Sequence, residues 1–347
     1  MQGSEPATSN APNALETFAQ IFIFGLSNGA VLALNAIGVT LIYSTVRTLN
    51  LAHGDVFALT SALVTSLVNM AYGPEQLAGN AAIRPWRLRA VQLVDAVSAR
   101  RVVRFHAITD QVAEVMGRRL RLPADRVEVV PRGRDQARLG RPSPERRARV
   151  RSALGIAEDR PVVLGAARHE RQKGLDVLVD AFAVVHRQEP DALLLVAGRE
   201  GNATAGLHKA VAEHGLGDAV TFLGMRDDVA DLMCACDVWV EPSRWEGGPG
   251  AMLEAMALAV PIVASDLEVY IGAVEHEASA LLVPVGDADA VGAAVVATLG
   301  DRGGAAERGR RAQERFFERF TIEGVSDQML AFYDRALGRG FSPPSGT

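Results

Sequence analysis

Two glutamates eight positions apart, Glu246 and Glu254, bracket a glycine-rich stretch, Glu246-Gly-Gly-Pro-Gly250. The stretch follows an apolar run, Asp237 to Pro242, and leads into AMLEAMALAV (251–260), a run of good helix formers. Backbone N–H groups at such a helix start lack partners and suit a phosphate. The same residues also fit a plain strand–loop–helix turn, with Glu254 as a first-turn charge. A second stretch, Ala167-Arg-His-Glu-Arg-Gln-Lys-Gly174, offers cations. Arg168 and Lys173 could neutralise a diphosphate from two directions, or they are two solvated charges beside a turn. Lysine is scarce: 34 of the 36 basic residues are arginine, and only Lys173 and Lys209 are lysine. A third loop, Gly198-Arg-Glu-Gly201, follows the apolar run LLLVA.

The surrounding pattern says what must position these loops. Short apolar runs predict strands at 161–167, 192–198, 219–224, 237–241, 261–264 and 280–284. Helical patterns lie between them, at 174–188, 204–214, 227–236, 250–259 and 287–299. Such alternation implies a Rossmann-like α/β fold, a parallel sheet covered on both faces that binds ligands at the carboxyl ends of its strands. Upstream, residues 90–117 read as helical, VEVV (127–130) as a short strand, and 138–150 as a linker into a helix. Residues 305–337 read as one long helical segment, and 339–347 as a frayed tail.

Composition sets the outer limits. The chain has 347 residues, 48% hydrophobic and 22% charged, with a net charge of −5, which offers no electrostatic case for nucleic acid. Cys234 and Cys236 sit in an apolar run without metal-spaced partners and read as buried thiols in a reducing compartment. Residues 1–16 read as disordered. Thr17 to Val46 carry no charge over 30 residues, more than the roughly 20 that cross a bilayer. Val56 to Tyr72 would form a second, shorter span, and the arginines from Arg84 to Arg104 would place the remainder in the cytoplasm. Only Arg47 is basic in residues 1–83, so the composition breaks at 73–87, where a join is expected.

Residues 13–72 resemble the first membrane segments of branched-chain amino acid ABC-transporter permeases. The resemblance rests on Gly38, Thr40, Leu41, Ile42, Tyr43, Asn50, Ala52, His53, Gly54 and Asp55. It implies two transmembrane helices, a membrane partner through 17–72, and a chimeric chain.

Residues 88–338 resemble family 4 of the retaining glycosyltransferases, which have the GT-B fold. The motifs are VVPRGRD (129–135), ARHERQKG (167–174), LLLVAG (193–198), VTFLG (220–224), PSRWEGGPGAMLEAMA (242–257) and LAVPIVASD (258–266). The resemblance implies that 145–338 binds a nucleoside diphosphate-sugar donor and that 88–144 is the remnant of an acceptor domain with its linker. Arg168 and Lys173 would hold the donor pyrophosphate and stabilise the charge of the leaving group. Glu246 would bond the donor sugar, the backbone N–H groups of Gly250, Ala251 and Met252 would meet the phosphates, Glu254 would take the ribose, and Gly248 would also belong to the substrate site. No metal or other cofactor is implied; the acceptor is unspecified. The chain departs from the family pattern at Arg132 (usually Asn), and at Ala167 and Ala259 (usually Gly). A glutamate usual near 271–274 is missing; Glu275, Glu268 or neither would take its place. The expected activity is sugar transfer by a cytoplasmic domain, incomplete on its acceptor side. The alternatives are a membrane-anchored enzyme acting on a lipid-linked acceptor, or a permease fragment.

Overall fold

The structure, a computed structural model, describes residues 102–338 together with 93, 95–97, 99 and 100. The expected disordered start, the two membrane spans of 17–72, the join at 73–87 and the tail at 339–347 lie outside the described residues. Among the described residues, no helix is long and apolar enough to cross a membrane.

Six strands form one parallel sheet: β3 (Val162–Ala166), β4 (Leu193–Ala197), β5 (Val220–Gly224), β6 (Val238–Glu241), β7 (Ile262–Ser265) and β8 (Leu281–Val283). Their order is β5-β4-β3-β6-β7-β8. The chain therefore runs outward from β3 to β5, returns, and continues outward from β6 on the other side. The reversal leaves β3 and β6 as neighbours, paired at Val163–Val238 and Leu164–Trp239. A crevice at the carboxyl ends of two such strands is the ligand site of open parallel sheets.

Helices cover both faces, which is why the strands are continuously apolar rather than alternating. On one face lie α4 (Leu175–Gln188), α5 (Thr204–Glu213) and α9 (Ala288–Gly300), packed on Val163, Leu194, Val196, Val238 and Val240. On the other lie α3 (Pro144–Ala153), α6 (Val229–Ala235), α7 (Gly250–Ala257) and α10 (Arg302–Arg319), packed on Val162, Leu164, Leu195 and Trp239. A short α8 (Glu268–Ile271) adds Val269 and Tyr270 to this second core. Burying a large apolar side chain here is worth about 1.5–3 kcal/mol.

The amino ends of β3 and β6 are tied by one buried arginine. Arg151, 1% exposed, donates to the carbonyls of Ala235, Ala157, Glu158 and Arg160 and to Asp237 Oδ2 at 2.8 Å. Asp237 also accepts from Val162 N–H at 2.8 Å and from Arg147 at 2.6 Å. Burial lowers the Arg151 pKa and the Asp237 charge opposes that shift. This clamp fixes the two strands at the end opposite the crevice.

A smaller unit precedes the sheet. β1 (Phe105–Ala107) pairs in parallel with β2 (Val127–Val129), and α1 (Asp110–Leu120) links them. The expected continuous helix over 90–117 is thus interrupted by a strand. His106, expected in that helix, lies in β1, where its Nε2 is 2.7 Å from the Val130 carbonyl. A four-residue α2 (Gln136–Leu139) follows, capped by Asp135. The expected single helix at 305–337 is two, because Thr321 caps a new start and α11 (Ile322–Leu337) turns back. Its Val325 and Phe332 pack against Val130 beside β2.

Candidate functional site

A cleft of about 340 Å³ opens at the carboxyl ends of β3 and β6, where the strand order reverses. Arg168 and Lys173 come from the loop after β3, Ser243, Glu246 and Gly248 from the loop after β6, and Gly250 and Ala251 from the start of α7. Arg132, on the segment after β2, completes the rim. Six of the eight residues expected from the sequence therefore line one cavity. Met252 was expected to act through its backbone N–H, and its side chain is fully buried in the core. Glu254, one turn into α7, is held by Arg134, whose Nε donates to Oε1 at 2.9 Å. Glu268 begins α8, and Glu275 is ion-paired to Arg315.

The two loops are locked together before any ligand is considered. Lys173 Nζ donates to Glu246 Oε1 at 2.5 Å, and the same oxygen accepts from Ser243 Oγ at 2.8 Å. Arg244 grips Asp176 with two hydrogen bonds of 2.7 Å. Burial works against the Asp176 charge, yet the Arg244 bonds outweigh it and lower its pKa. Gln172 Nε2 donates to the Trp245 carbonyl, and Arg244 N–H to the Gln172 carbonyl. Gly174 makes the approach possible. It sits at φ +63, and a Cβ there would lie 2.0 Å from the Pro242 carbonyl oxygen.

The cations differ in readiness. Lys173 is 21% exposed in its side chain, whereas Arg168 is half exposed and reaches back to Glu170 at 2.5 Å. The α7 start has no side-chain cap; its Gly250 N–H donates to the Gly248 carbonyl at 2.9 Å, and Ala251 follows it at the edge of the cleft. Polyanion binding is the chemistry such an arrangement performs well: fixed cations, a helix start, and carboxylates placed for hydroxyl groups. Among the described residues no three His, Cys, Asp or Glu side chains gather as a metal site.

Sequence reasoning missed Glu241. It ends β6 on the cleft floor, with its carboxyl buried. Burial, and then the Glu246 charge, push its pKa up to about 7. The Tyr270 hydroxyl and Trp239 indole adjoin the carboxyl and favour its charge. Yet those two groups and Glu241 Oε2 all lack a hydrogen bond of normal geometry. A lone carboxylate closing an otherwise apolar strand, VWVE, was the available signal. Arg134 was missed as well; its contact with Glu254 spans 120 positions. Cys234 and Cys236 are buried and free, and burial raises both thiol pKa values.

Residues 146–315 match the family model for Glycosyl transferases group 1. The D-inositol 3-phosphate glycosyltransferase of Jonesia denitrificans is 32% identical over 238 residues, covering 66% of this chain and 56% of the relative. The lipopolysaccharide core biosynthesis mannosyltransferase LpsB of Rhizobium meliloti is 31% identical over 194 residues, covering 54% and 55%. The chain spans little more than half the length of these relatives. Among solved structures, Anabaena HepE in complex with UDP and glucose superposes with a TM-score of 0.64 at 24% identity, over 70% of this chain and 66% of that one. Sucrose-phosphate synthase from Thermosynechococcus elongatus gives 0.62 at 29% identity, over 71% and 62%. Over the matched residues the fold is that of these structures.

Proposed function

We propose that this chain, whose residues 146–315 are a glycosyl transferases group 1 domain, binds a nucleoside diphosphate-sugar between β3 and β6 and transfers the sugar to an acceptor. One observation carries the reading: Arg168, Lys173, Glu246 and the uncapped start of α7 converge on a single cleft at the strand-order reversal. The HepE structure, which holds UDP and glucose, is consistent with this ligand class.

The roles follow from charge and position. Arg168 and Lys173 would flank the diphosphate and stabilise the negative charge that grows on it as the sugar departs. The backbone N–H of Ala251 would add a hydrogen bond without a side chain's entropy cost, and that of Gly250 would do so on exchanging the Gly248 carbonyl for the ligand. Glu246, already fixed by Lys173 and Ser243, would accept from the donor sugar's hydroxyls. Glu254 would take the ribose while Arg134 holds it in place. Retention of configuration belongs to the same proposal, as does an acceptor bound on the Arg132 side of the cleft.

Calorimetric titration of the full chain with UDP-, GDP- and ADP-sugars tests the assignment. We expect millimolar or tighter binding of at least one, weakened at least tenfold by Lys173→Ala and by Glu254→Ala. Binding that both substitutions leave unchanged would place the ligand elsewhere.

A further inference from the structure

On the cleft floor lies a carboxyl that the proposed donor contacts do not use. Glu241 projects from the last position of β6 and is 9% exposed as a residue. Two charged groups act on its carboxyl: Glu246 from the loop after β6, and Lys173 from the loop after β3. Tyr270 of α8 and Trp239 of β6 adjoin it as polar, uncharged neighbours. Arg168 and Arg132 line the same cavity. The Lys173–Glu246 pair is charge-balanced by itself, and Ser243 completes it. Glu241 is thus a second carboxyl competing for one lysine in a poorly solvated place.

We propose that Glu241 is a positioning residue that sets how firmly the cleft holds a nucleoside diphosphate. As a neutral acid it leaves the charge of Lys173 and Arg168 to the ligand, and as a carboxylate it opposes the anion and draws on Lys173. The proposal rests on the reading of this cleft as a donor site.

The physical argument is one of counting charge. With Glu241 neutral, the Lys173–Glu246–Glu241 group sums to zero; with Glu241 ionised it carries one uncompensated negative charge. A diphosphate brings further negative charge to the same low-dielectric region, where repulsion is screened far less than in water. The group's raised pKa reports that the unliganded cluster already disfavours this extra charge. By linkage, an anion that opposes ionisation of Glu241 must bind less tightly once Glu241 is ionised, and its arrival must drive proton uptake. Tyr270 matters because its hydroxyl favours the carboxylate. Removing that hydroxyl extends the range of pH over which the acid stays neutral.

The test is calorimetric titration of the full chain with UDP, GDP and ADP from pH 5.5 to 8.5, using wild type, Glu241→Gln and Tyr270→Phe. Titration of the nucleotide itself is common to all three proteins, so the ratio of wild-type to Glu241→Gln Kd isolates Glu241. We expect that ratio to be near one at pH 5.5 and to rise about three- to tenfold by pH 8.5, as suits one added charge in a partly screened site. The wild-type to Tyr270→Phe Kd ratio should exceed one near pH 7 and return toward one at both ends of the range, a comparison that needs no Glu241→Gln protein and keeps the test decisive should that variant fail to fold. A wild-type to Glu241→Gln ratio constant across pH, or, where that variant does not fold, a wild-type to Tyr270→Phe ratio constant across pH, overturns the proposal while leaving the donor site standing. Failure of the wild-type chain to bind any of the three at any pH overturns both.

Discussion

Replacing Gly174 by alanine asks whether the close approach of the two loops makes the site. Gly174 has φ +63, a region that costs an L-residue about 1–2 kcal/mol. The new methyl would also lie 2.0 Å from the Pro242 carbonyl oxygen and 2.9 Å from its carbon. Backbone on both sides leaves no flexible side chain to yield, so the loops must part, an overpacking cost of about 1–3 kcal/mol. The sum is about 2–5 kcal/mol. Gly155 provides the control: it has φ +68 and nothing within 4 Å of an added Cβ. Gly155→Ala therefore carries the conformational cost alone, about 1–2 kcal/mol. Urea denaturation of both variants would measure the difference, and nucleotide titration would read its consequence at the site. Parting the loops lengthens the 2.5 Å Lys173–Glu246 contact, so Gly174→Ala should also weaken nucleotide binding at least tenfold, with Gly155→Ala unchanged. Equal destabilisation by the two alanines, with binding intact in both, would refute the loop-contact argument.

Three further outcomes are expected. Asp237→Ala should cost about 3–5 kcal/mol in denaturant unfolding, because it strands Arg151 as a buried, uncompensated charge. Ala259→Gly should stabilise the chain by several tenths to about 1 kcal/mol in the same assay. Ala259 sits at φ +54, and relief of that strain exceeds the entropy glycine adds to the unfolded chain. Glu241→Gln should leave stability unchanged near pH 4 and raise it by up to about 3 kcal/mol at pH 8. The folded state keeps a proton on Glu241 that the unfolded state releases, so wild-type stability falls as pH rises from the ordinary carboxyl range to about 7. A wild-type advantage over Glu241→Gln at pH 8 in thermal or urea unfolding would contradict that sign.

The sheet was legible in the sequence because a strand buried on both faces must be apolar throughout, and each of the six lies within a residue or so of its expected place. β1 was not legible. It has three residues, and its hydrogen-bonding partner β2 begins 22 positions after β1 does, beyond any local periodicity. The break at Thr321 was hidden for a similar reason: its cap and its bridge to Arg134 depend on where α11 must pack. Arg168, Lys173 and Glu246 could be nominated because each follows a recognisable strand. Their meeting could not be read so directly. Lys173 and Glu246 are 73 positions apart, and Arg244 and Asp176 are 68 apart. Both pairs exist only because β6 returns to the free edge of β3 instead of adding beyond β5. The same return explains Glu241. A carboxylate ending an edge strand would face water and ionise freely, whereas β6 lies between β3 and β7, with Tyr270 closing over the strand's end. One topological choice therefore brings Arg168 and Lys173 to one cleft, sets the glutamate that holds Lys173, and buries a second carboxyl beside them.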